Sequence, residues 1–133
     1  MNVTDPTLAV QGALVARLKA LDTEAGVRVY DQPPGNPVLP YITIGPGQTV
    51  PIDETCWDAS EVFAQIDVWS VEDGYPQVKR IAGALREALH DQPFALLGHV
   101  CDRVEVRSVT YSRERDGITS RARIELLFTT QPD

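Results

Sequence analysis

The chain has 133 residues, of which 43% are hydrophobic and 23% charged, and its formal net charge is −7. This length and composition are typical of one globular domain, residues 1–133. No apolar run approaches the ~18 residues of a membrane span, and the opening MNVTDPTLAV lacks the basic start and apolar centre of a signal peptide. We therefore expect a protein that is made in the cytoplasm and has no membrane partner. Its acidity also disfavours tight wrapping of nucleic acid.

Charge is unevenly distributed along the chain. Residues 29–78 contain eight Asp and Glu residues but no Lys or Arg, whereas residues 101–133 contain six acids and six arginines. Such asymmetry would let the acidic side of one subunit meet the basic side of another. The alternative is an ordinary solvated surface.

The first third of the chain predicts a helix and two short strands. Asp5-Pro6 is typical of an N-cap followed by proline at the first helical position. Apolar residues at helical spacing then predict a helix over residues 6–21. Strands are predicted over residues 27–30 and 41–45. The four prolines between them predict an extended connector, because proline fixes φ and removes a backbone donor.

The rest of the chain predicts a loop, a strand, a second helix and a hairpin. Residues 45–58 show no periodicity, whereas residues 60–70 alternate between apolar and polar positions as a strand does. Pro76 suits the first turn of a helix that fades near residue 90. Strands over residues 102–113 and 118–130 would then flank a tight primed turn, which the pair Asp-Gly between them favours because that turn needs φ > 0.

This order of elements predicts an α+β fold, an antiparallel-rich sheet of four to five strands with two helices packed on one face. The core is predicted to comprise Val10, Leu14, Leu18, Ile42, Ile44, Val62, Ala64, Ile66, Val68, Ile81, Leu85, Leu89, Val104, Val106, Ala122, Ile124, Leu126 and Phe128. The opposite face of the sheet is predicted to display Thr43, Gln65, Asp67, Arg103, Glu105, Arg107, Arg121, Arg123 and Glu125. Opposite charges can pair across such a face, which is either solvated or an assembly surface.

No arrangement of residues predicts catalysis. His90 and His99 have no nucleophile at a recognisable spacing, and GPG at 45–47 lacks the Gly-Lys of a phosphate-binding loop. Cys56 and Cys101 are interpreted as two free thiols in a reducing compartment. We therefore predict no enzymatic activity, no catalytic residue and no cofactor.

The loop over residues 45–58 combines acids with a tryptophan. Asp53, Glu54 and Asp58 could attract a hard cation, but they lack the spacing of a calcium loop, so a solvated loop is the simpler interpretation and no metal site is predicted. Trp57 in this loop and Trp69 on the outward face of its strand are candidate interface anchors. The alternative for both is a local tuck against the same subunit.

The order and spacing of several segments resemble a known family. The segments are AVQGALVARLKAL, VRVYDQPP, LPYITIGPGQ, AQIDVWSVEDGYPQVKRIAGALREAL and LLGHVCDRVEVRSVTYSRERDGITSRARIELLF. Their most specific features are PYITIG, the strand ending in VWS before KRIAGALREAL, and the final hairpin with its Asp-Gly pair. Together they resemble the phage tail-terminator, or tail-completion, family, which also occurs in the phage-like particles called gene transfer agents.

The resemblance implies a structural role in a virion tail. Such proteins form a ring, usually of six subunits, that caps the finished tail tube at its head-proximal end and joins it to the head. Expected partners are other copies of this chain, the major tail tube protein and a head–tail connector or adaptor, while DNA passes through the ring without specific binding. The alternatives are another head–tail neck protein and a small ligand-binding α+β domain.

The residues expected at these interfaces come from the sequence pattern. The ring is expected to form by head-to-tail contacts between a sheet edge or acidic flank of one subunit and the basic flank of its neighbour. The loop over residues 46–58 is expected to become ordered on docking to the tube or connector. The mixed-charge face is expected to meet the lumen or a neighbouring subunit. The expected interface residues are Asp53, Glu54, Trp57, Asp58, Trp69, Arg103, Arg107, Arg121 and Arg123.

Overall fold

A computed structural model of the chain describes residues 5–52 and 59–133. Within these residues the protein has two helices, α1 (Thr7–Ala20) and α2 (Pro76–Leu89). The same residues form seven strands: β1 (Val29–Tyr30), β2 (Tyr41–Ile44), β3 (Gln48–Ile52), β4 (Ala59–Ser70), β5 (Ala95–Leu96), β6 (His99–Arg113) and β7 (Ser120–Pro132). The predicted α+β class and the two helices are confirmed.

The strands form one sheet in the order β1-β2-β4-β7-β6-β5, with β3 beside the part of β4 that β2 leaves free. Along β4, residues 66–69 pair with β2 and residues 59–63 pair with β3. Only β1 and β2 pair in parallel within the described part of the chain; the other pairs are antiparallel. The prediction of four to five strands was too low, because β3 and β5 were not predicted.

Strand β3 lies in the stretch that was predicted to be a loop, residues 45–58. Gly47 turns the chain with φ of 76°, and a Cβ there would lie 3.1 Å from the carbonyl oxygen of Phe63. The next five residues then pair along β4. They include Pro51 and show no alternation, so their sequence does not indicate a strand. The pairing surface of β4, which is distant in sequence, stabilises β3. Residues 53–58 of the predicted loop lie outside the described residues.

Both helices pack on the same face of the sheet. Ahead of α1, the carboxylate of Asp5 accepts the N–H of Thr7 at 2.9 Å. The N-cap residue is Pro6, however, so the predicted N-cap at Asp5 and first helical position at Pro6 were each one residue early. Helix α2 begins at Pro76 as predicted and ends before His90. No helix in the described ranges has both the length and the hydropathy needed to cross a membrane.

The hydrophobic core lies between this face and the two helices. Every residue predicted for the core is buried there except Val106, which is half-buried. Phe94, which was not predicted, adds an edge-on contact with Phe128, with ring centroids 5.3 Å apart and an interplanar angle of 86°. The alternation of apolar residues therefore identified the buried face of nearly every long element.

Two β-bulges change which residues of β6 face the core. The register of β6 against β7 shifts between Cys101 and Arg103, and again between Val106 and Ser108. An inserted residue reverses the face to which every later side chain points. After the second bulge, Val109 therefore returns to the helix side of the sheet, where it packs against the core. Strict alternation along the predicted strand would place Val109 on the opposite face from Val104 and Val106.

The predicted hairpin of β6 and β7 is present, but its turn is not the predicted primed turn. The N–H of Glu114 donates to the carbonyl of Thr119 at 2.8 Å, and the N–H of Gly117 donates to the carbonyl of Glu114 at 3.0 Å. Of the Asp-Gly pair, only Gly117 has positive φ, whereas a primed turn of type I′ needs it at both residues. Asp116 instead accepts the N–H groups of Ile118 and Thr119, which closes a longer loop.

Candidate interaction surface

The outer face of the sheet, which is turned away from the helices, carries the predicted row of mixed charge. Asp67 on β4 and Arg123 on β7 are direct cross-strand partners. The Nε of Arg123 donates to Oδ1 of Asp67 at 3.0 Å, and Nε2 of Gln65 donates to Oδ2 at 3.3 Å. The hydrogen bond to Asp67 raises the pKa of Arg123. Because Asp67 is only 6% exposed, this ion pair is partly shielded from water.

A row of aromatic side chains crosses the same face beside this ion pair. The indole N–H of Trp69 donates to Oγ1 of Thr43 at 3.0 Å, and its ring stacks on Tyr41 with centroids 6.2 Å apart. The guanidinium of Arg121 lies 5.6 Å from the Trp69 ring centroid. Tyr41 also lies 6.1 Å from the ring of Tyr30, and burial raises the pKa of Tyr41. Trp69 thus points away from the core, as predicted, and most of its surface is already packed within the subunit.

The four arginines predicted on this face differ in their ion pairing. Arg123 bonds to Asp67, as described above, and Nε of Arg103 lies 2.9 Å from Oδ1 of Asp91. The Nε of Arg121 lies 3.6 Å from Glu114, which is too long for a direct hydrogen bond. Arg107 is exposed and has no ion pair with any residue of the described ranges. Its charge is thus available to a partner.

An open groove of about 570 Å³ lies on the outer face between β3 and β6. Its lining includes Arg107, Ser108, Gln65 and Phe63. Phe63 is 36% exposed, and its cross-strand partner Leu127 is buried although it belongs to the outer face. An apolar floor with a cation and amide groups at its rim suits contact with another polypeptide.

A second exposed cluster lies where the far end of β6 meets α2. Nζ of Lys79 lies 5.1 Å from the ring centroid of Tyr111 and 5.9 Å from that of Tyr75. The guanidinium of Arg113 lies 4.9 Å from the ring centroid of Tyr75. Neither cation has an ion pair with the described residues. The two cations and two tyrosines form a basic aromatic patch, which we call the β6 patch.

The histidines and the described cysteine have structural surroundings. Nδ1 of His90 accepts the N–H of Val106 at 3.0 Å, which ties the end of α2 to β6. His99 is buried and is the first residue of β6, although it was predicted to precede the strand. Cys101 is a free, half-buried thiol, and burial raises its pKa. Across residues 5–52 and 59–133, no three His, Cys, Asp or Glu side chains lie close enough together to hold a metal ion.

Four of the predicted interface residues cannot be placed on this surface. Asp53, Glu54, Trp57 and Asp58 lie outside the described residues, as does Cys56. Their predicted roles stay predictions.

The comparison of the sequence with known families decides the kind of protein. The family described as tail completion protein gp17 matches residues 12–131, which is most of the chain. The chain belongs to this family. It is therefore a structural component of a phage-type virion tail and not an enzyme. The resemblance stated from the sequence segments is confirmed, as is the expected location in the virion.

Solved structures show that the fold is shared over nearly the full length. A chain from the virion of a native gene transfer agent (GTA) particle matches with a TM-score of 0.83 and 20% identity, over 95% of this tail completion protein and 97% of that chain. A second solved structure matches with a TM-score of 0.56 and 13% identity, over 95% and 92% of the two chains. No curated protein matches the sequence. At these identities the likeness shows a common fold.

Two parts of this surface were not predicted from the sequence. The outward contact of Phe63 with Leu127 was missed, although the run Leu126-Leu127-Phe128 places an apolar residue at a position where alternation expects a polar one. The β6 patch was missed because Tyr75 and Lys79 are far in sequence from Tyr111, and only the packing of α2 on the sheet brings them together.

Proposed function

We propose that this tail completion protein is a tail terminator. Copies of it join head to tail in a closed ring of six subunits, which caps the finished tail tube at its head-proximal end and joins it to the head. Its partners are other copies of the chain, the major tail tube protein, and the connector or adaptor of the head. The ring stops further addition of tube protein and gives the connector a surface to bind.

The observation that carries this proposal is the division of the sheet into two halves of different charge. Strands β1, β2, β3 and β4 come from the stretch without Lys or Arg, residues 29–78. Strands β6 and β7 hold five of the six arginines in residues 101–133, and these strands form the other half of the same sheet. The acidic edge of one copy can meet the Arg-bearing edge of the next, head to tail. Such heterologous contacts form a closed ring when repeating the rotation between neighbours returns to the first subunit.

The likeness to a chain of a gene transfer agent virion supports the same function. That chain is part of an assembled particle, and this protein matches it over nearly all of both lengths with a TM-score of 0.83. A shared fold of this extent favours a shared position in the tail of a phage or a gene transfer agent.

The outer face supplies the remaining contacts of the proposal. Trp69, Arg103, Arg121 and Arg123 lie on one face of neighbouring strands, and Arg107 lines the groove beside them. We place this face toward the ring lumen or toward a neighbouring subunit. Two of its arginines, Arg103 and Arg123, are ion-paired within the subunit, so DNA would meet a surface of reduced positive charge and pass without specific binding.

The acidic segment at residues 53–58 provides the proposed contact with the tube or connector. It contains Asp53, Glu54 and Asp58 beside Trp57. A tryptophan next to carboxylates can combine a large apolar contact with charge complementarity. Replacing the three acids with Asn, Gln and Asn in a ring-forming protein should weaken capture of the purified tube or connector protein without changing the ring.

The direct test of the proposed function is assembly and its consequence for the particle. Purified protein, alone and with tube protein, should form a ring that native mass spectrometry and electron microscopy can count. Deleting the gene should give tails of irregular length or tails without heads. A protein that stays monomeric or dimeric at every concentration and with added tube, or a deletion that leaves normal particles, would overturn the proposal. Capture of portal or adaptor protein but not tube protein would favour a connector role.

A further inference from the structure

One edge of the sheet is left open on the Arg-bearing side. Strand β6 pairs with β7 along one side as far as Arg113. On its other side, β5 pairs only with the first two residues of β6. Just after α2, the N–H of Asp91 donates to the carbonyl of Val104 at 2.8 Å, and Nδ1 of His90 accepts the N–H of Val106 at 3.0 Å. Beyond these positions, no other described element pairs with this side of β6.

The open part of the edge is residues 109–113. Alternate residues of an antiparallel strand direct their N–H and C=O groups to opposite sides. The backbone C=O of Val104 and the backbone N–H of Val106 point away from β7, since they bond Asp91 and His90. Because the second bulge inserts one residue, the backbone groups that point away from β7 further along the strand are those of Val109, Tyr111 and Arg113. Within the described residues no backbone hydrogen bond satisfies these outward groups, so the edge is a template for another strand.

The other strand edges among the described residues are short or interrupted. Strands β1 and β5 contain two residues each. Strand β3 contains Pro51, which has no N–H to donate and is typical of an edge that resists pairing. Residues 109–113 are thus the longest uninterrupted stretch of open edge in the described sheet.

The charge of this open edge excludes pairing with itself. Arg107 and Arg113 lie near its two ends, and Lys79 lies against Tyr111 between them. Two such edges side by side would bring together at least six cations that have no ion pairs with described residues of their own subunits. Like charges across neighbouring strands are destabilising. The strand that this edge accepts should therefore be acidic.

The opposite lateral edge of the same sheet meets this requirement. Strand β1 lies at the far end of the strand order, and it is followed by the exposed carboxylate of Asp31. No Lys or Arg occurs from Val29 to residue 78, and the guanidinium of the preceding Arg28 is bonded within the subunit to the carbonyl oxygens of Pro40 and Glu24. The prolines at 33 and 34 end any pairing after Gln32, so the segment available to pair is residues 29–32, of which Val29 and Tyr30 are already a strand.

We propose that residues 109–113 of one subunit accept residues 29–32 of a second copy as an added strand, with Asp31 beside Arg113 and the β6 patch. Each contact extends the sheet of one subunit into the next. Since the two edges lie on opposite sides of the subunit, the contact repeats around the assembly. This inference rests on the proposed ring and names the surfaces that close it.

Charge exchange tests the pairing of the two edges. Asp31→Arg and Arg113→Asp should each raise the concentration for half-assembly about tenfold, because each places like charges together. The double variant restores opposite charges and should assemble within about threefold of the unmodified protein. Glu87→Arg and Lys19→Asp make equivalent charge changes at exposed helix positions outside both edges and the β6 patch, and should leave assembly unchanged. Sedimentation velocity measures each half-assembly concentration.

A backbone change tests the added strand itself. Tyr111→Pro removes an outward N–H without removing a bond to β7, so the folded subunit should persist and assembly should be lost. Tyr111→Phe, which keeps the N–H, should assemble. Circular dichroism reports whether the proline variant is folded; if it is not, the charge exchange alone decides.

The outcomes separate this inference from the proposed function. Unmodified protein that never assembles, even with tube protein, overturns both the ring and this contact. Unmodified rings together with normal assembly of Asp31→Arg and Arg113→Asp overturn only the contact. A double variant that assembles no better than either single variant also overturns the contact and leaves the ring in place.

Discussion

The carboxylate of Asp67 and the guanidinium of Arg123 bond across the central strand pair of the sheet, with Oδ1 and Nε 3.0 Å apart. Strand β4 belongs to the half of the sheet without cations, and β7 belongs to the Arg-bearing half. The ion pair thus joins the two halves within one subunit. The same complementarity at the outer edges is the basis of the proposed contact between subunits.

Removal of this ion pair should destabilise the subunit. Asp67→Asn keeps the shape of the side chain but removes the charge that Arg123 bonds, so the free energy of unfolding should fall by about 1–3 kcal/mol. The loss should stay below that for a fully buried pair, because the Arg123 side chain is 35% exposed. Urea denaturation of the two proteins measures the difference.

A matched control is the exposed ion pair between Glu24 and Arg80, with side chains 41% and 52% exposed. Glu24→Gln should change the free energy of unfolding less than Asp67→Asn does, because water screens this pair. Equal losses for the two variants would show that shielding by the sheet does not strengthen the central pair.

The contact of Phe94 with Phe128 should be a major source of core stability. Phe128 is fully buried, so Phe128→Ala should leave a cavity and lower the free energy of unfolding by about 3–5 kcal/mol. Leu97→Ala is the control, because Leu97 is 91% exposed and its change should stay within about 0.5 kcal/mol. A small effect of Phe128→Ala in chemical denaturation would contradict the described packing.

Acid should destabilise the fold through carboxylates that it holds ionised. Hydrogen bonds from Thr7 hold the pKa of Asp5 below its usual range, and the hydrogen bond from Arg103 does so for Asp91. A carboxyl whose pKa is lower in the folded protein stabilises it above the unfolded pKa and loses this effect as pH falls through the folded pKa. The free energy of unfolding should therefore decrease as the pH is lowered below about 4. Urea denaturation at stepwise lower pH would measure this decrease.

The hairpin loop provides a single-residue test of this pH dependence. Bonds from the side chain and N–H of Thr119 and from the N–H of Ile118 hold the pKa of Asp116 below its usual range. Asp116→Asn keeps an acceptor oxygen but cannot titrate, so its free energy of unfolding should depend less steeply on pH in this acid range. A pH dependence identical to that of the unmodified protein would contradict the loop geometry.

The thiol of Cys101 should react slowly. Burial raises its pKa and lowers the fraction of thiolate, which is the nucleophilic form. In a Cys56→Ser variant, alkylation by iodoacetamide near pH 8 should be slower in the folded protein than in urea. Mass spectrometry over time measures both rates, and equal rates would mean that Cys101 is as accessible as in the unfolded chain.

Much of the fold was predictable because the apolar residues of each long helix or strand recur at the spacing of that element. The apolar stripes of both helices and the alternation of Val62, Ala64, Ile66 and Val68 each identify a buried face from neighbouring residues alone. The predicted mixed-charge face was correct for the same reason, since Asp67 and Arg123 occupy alternate positions of regular strands.

The remaining elements were not predictable because their stability comes from distant residues. Strand β3 pairs with β4 although it contains Pro51 and has no alternation of its own. The second bulge of β6 places Val109 and Tyr111 on the helix side of the sheet, and no local sequence pattern predicts the inserted residue. Strand β3 and this bulge are both determined by pairing with strands that are distant in the sequence.

The sequence by itself determined the charge of each segment, the buried face of each long element and the family resemblance, because these properties depend on residue type and local spacing. Only the tertiary structure decided that the acidic and Arg-bearing segments form opposite halves of one sheet, and that β6 keeps an open edge. Strand order and bulges result from hydrogen bonds between residues far apart in the chain, and their energies are absent from any local pattern.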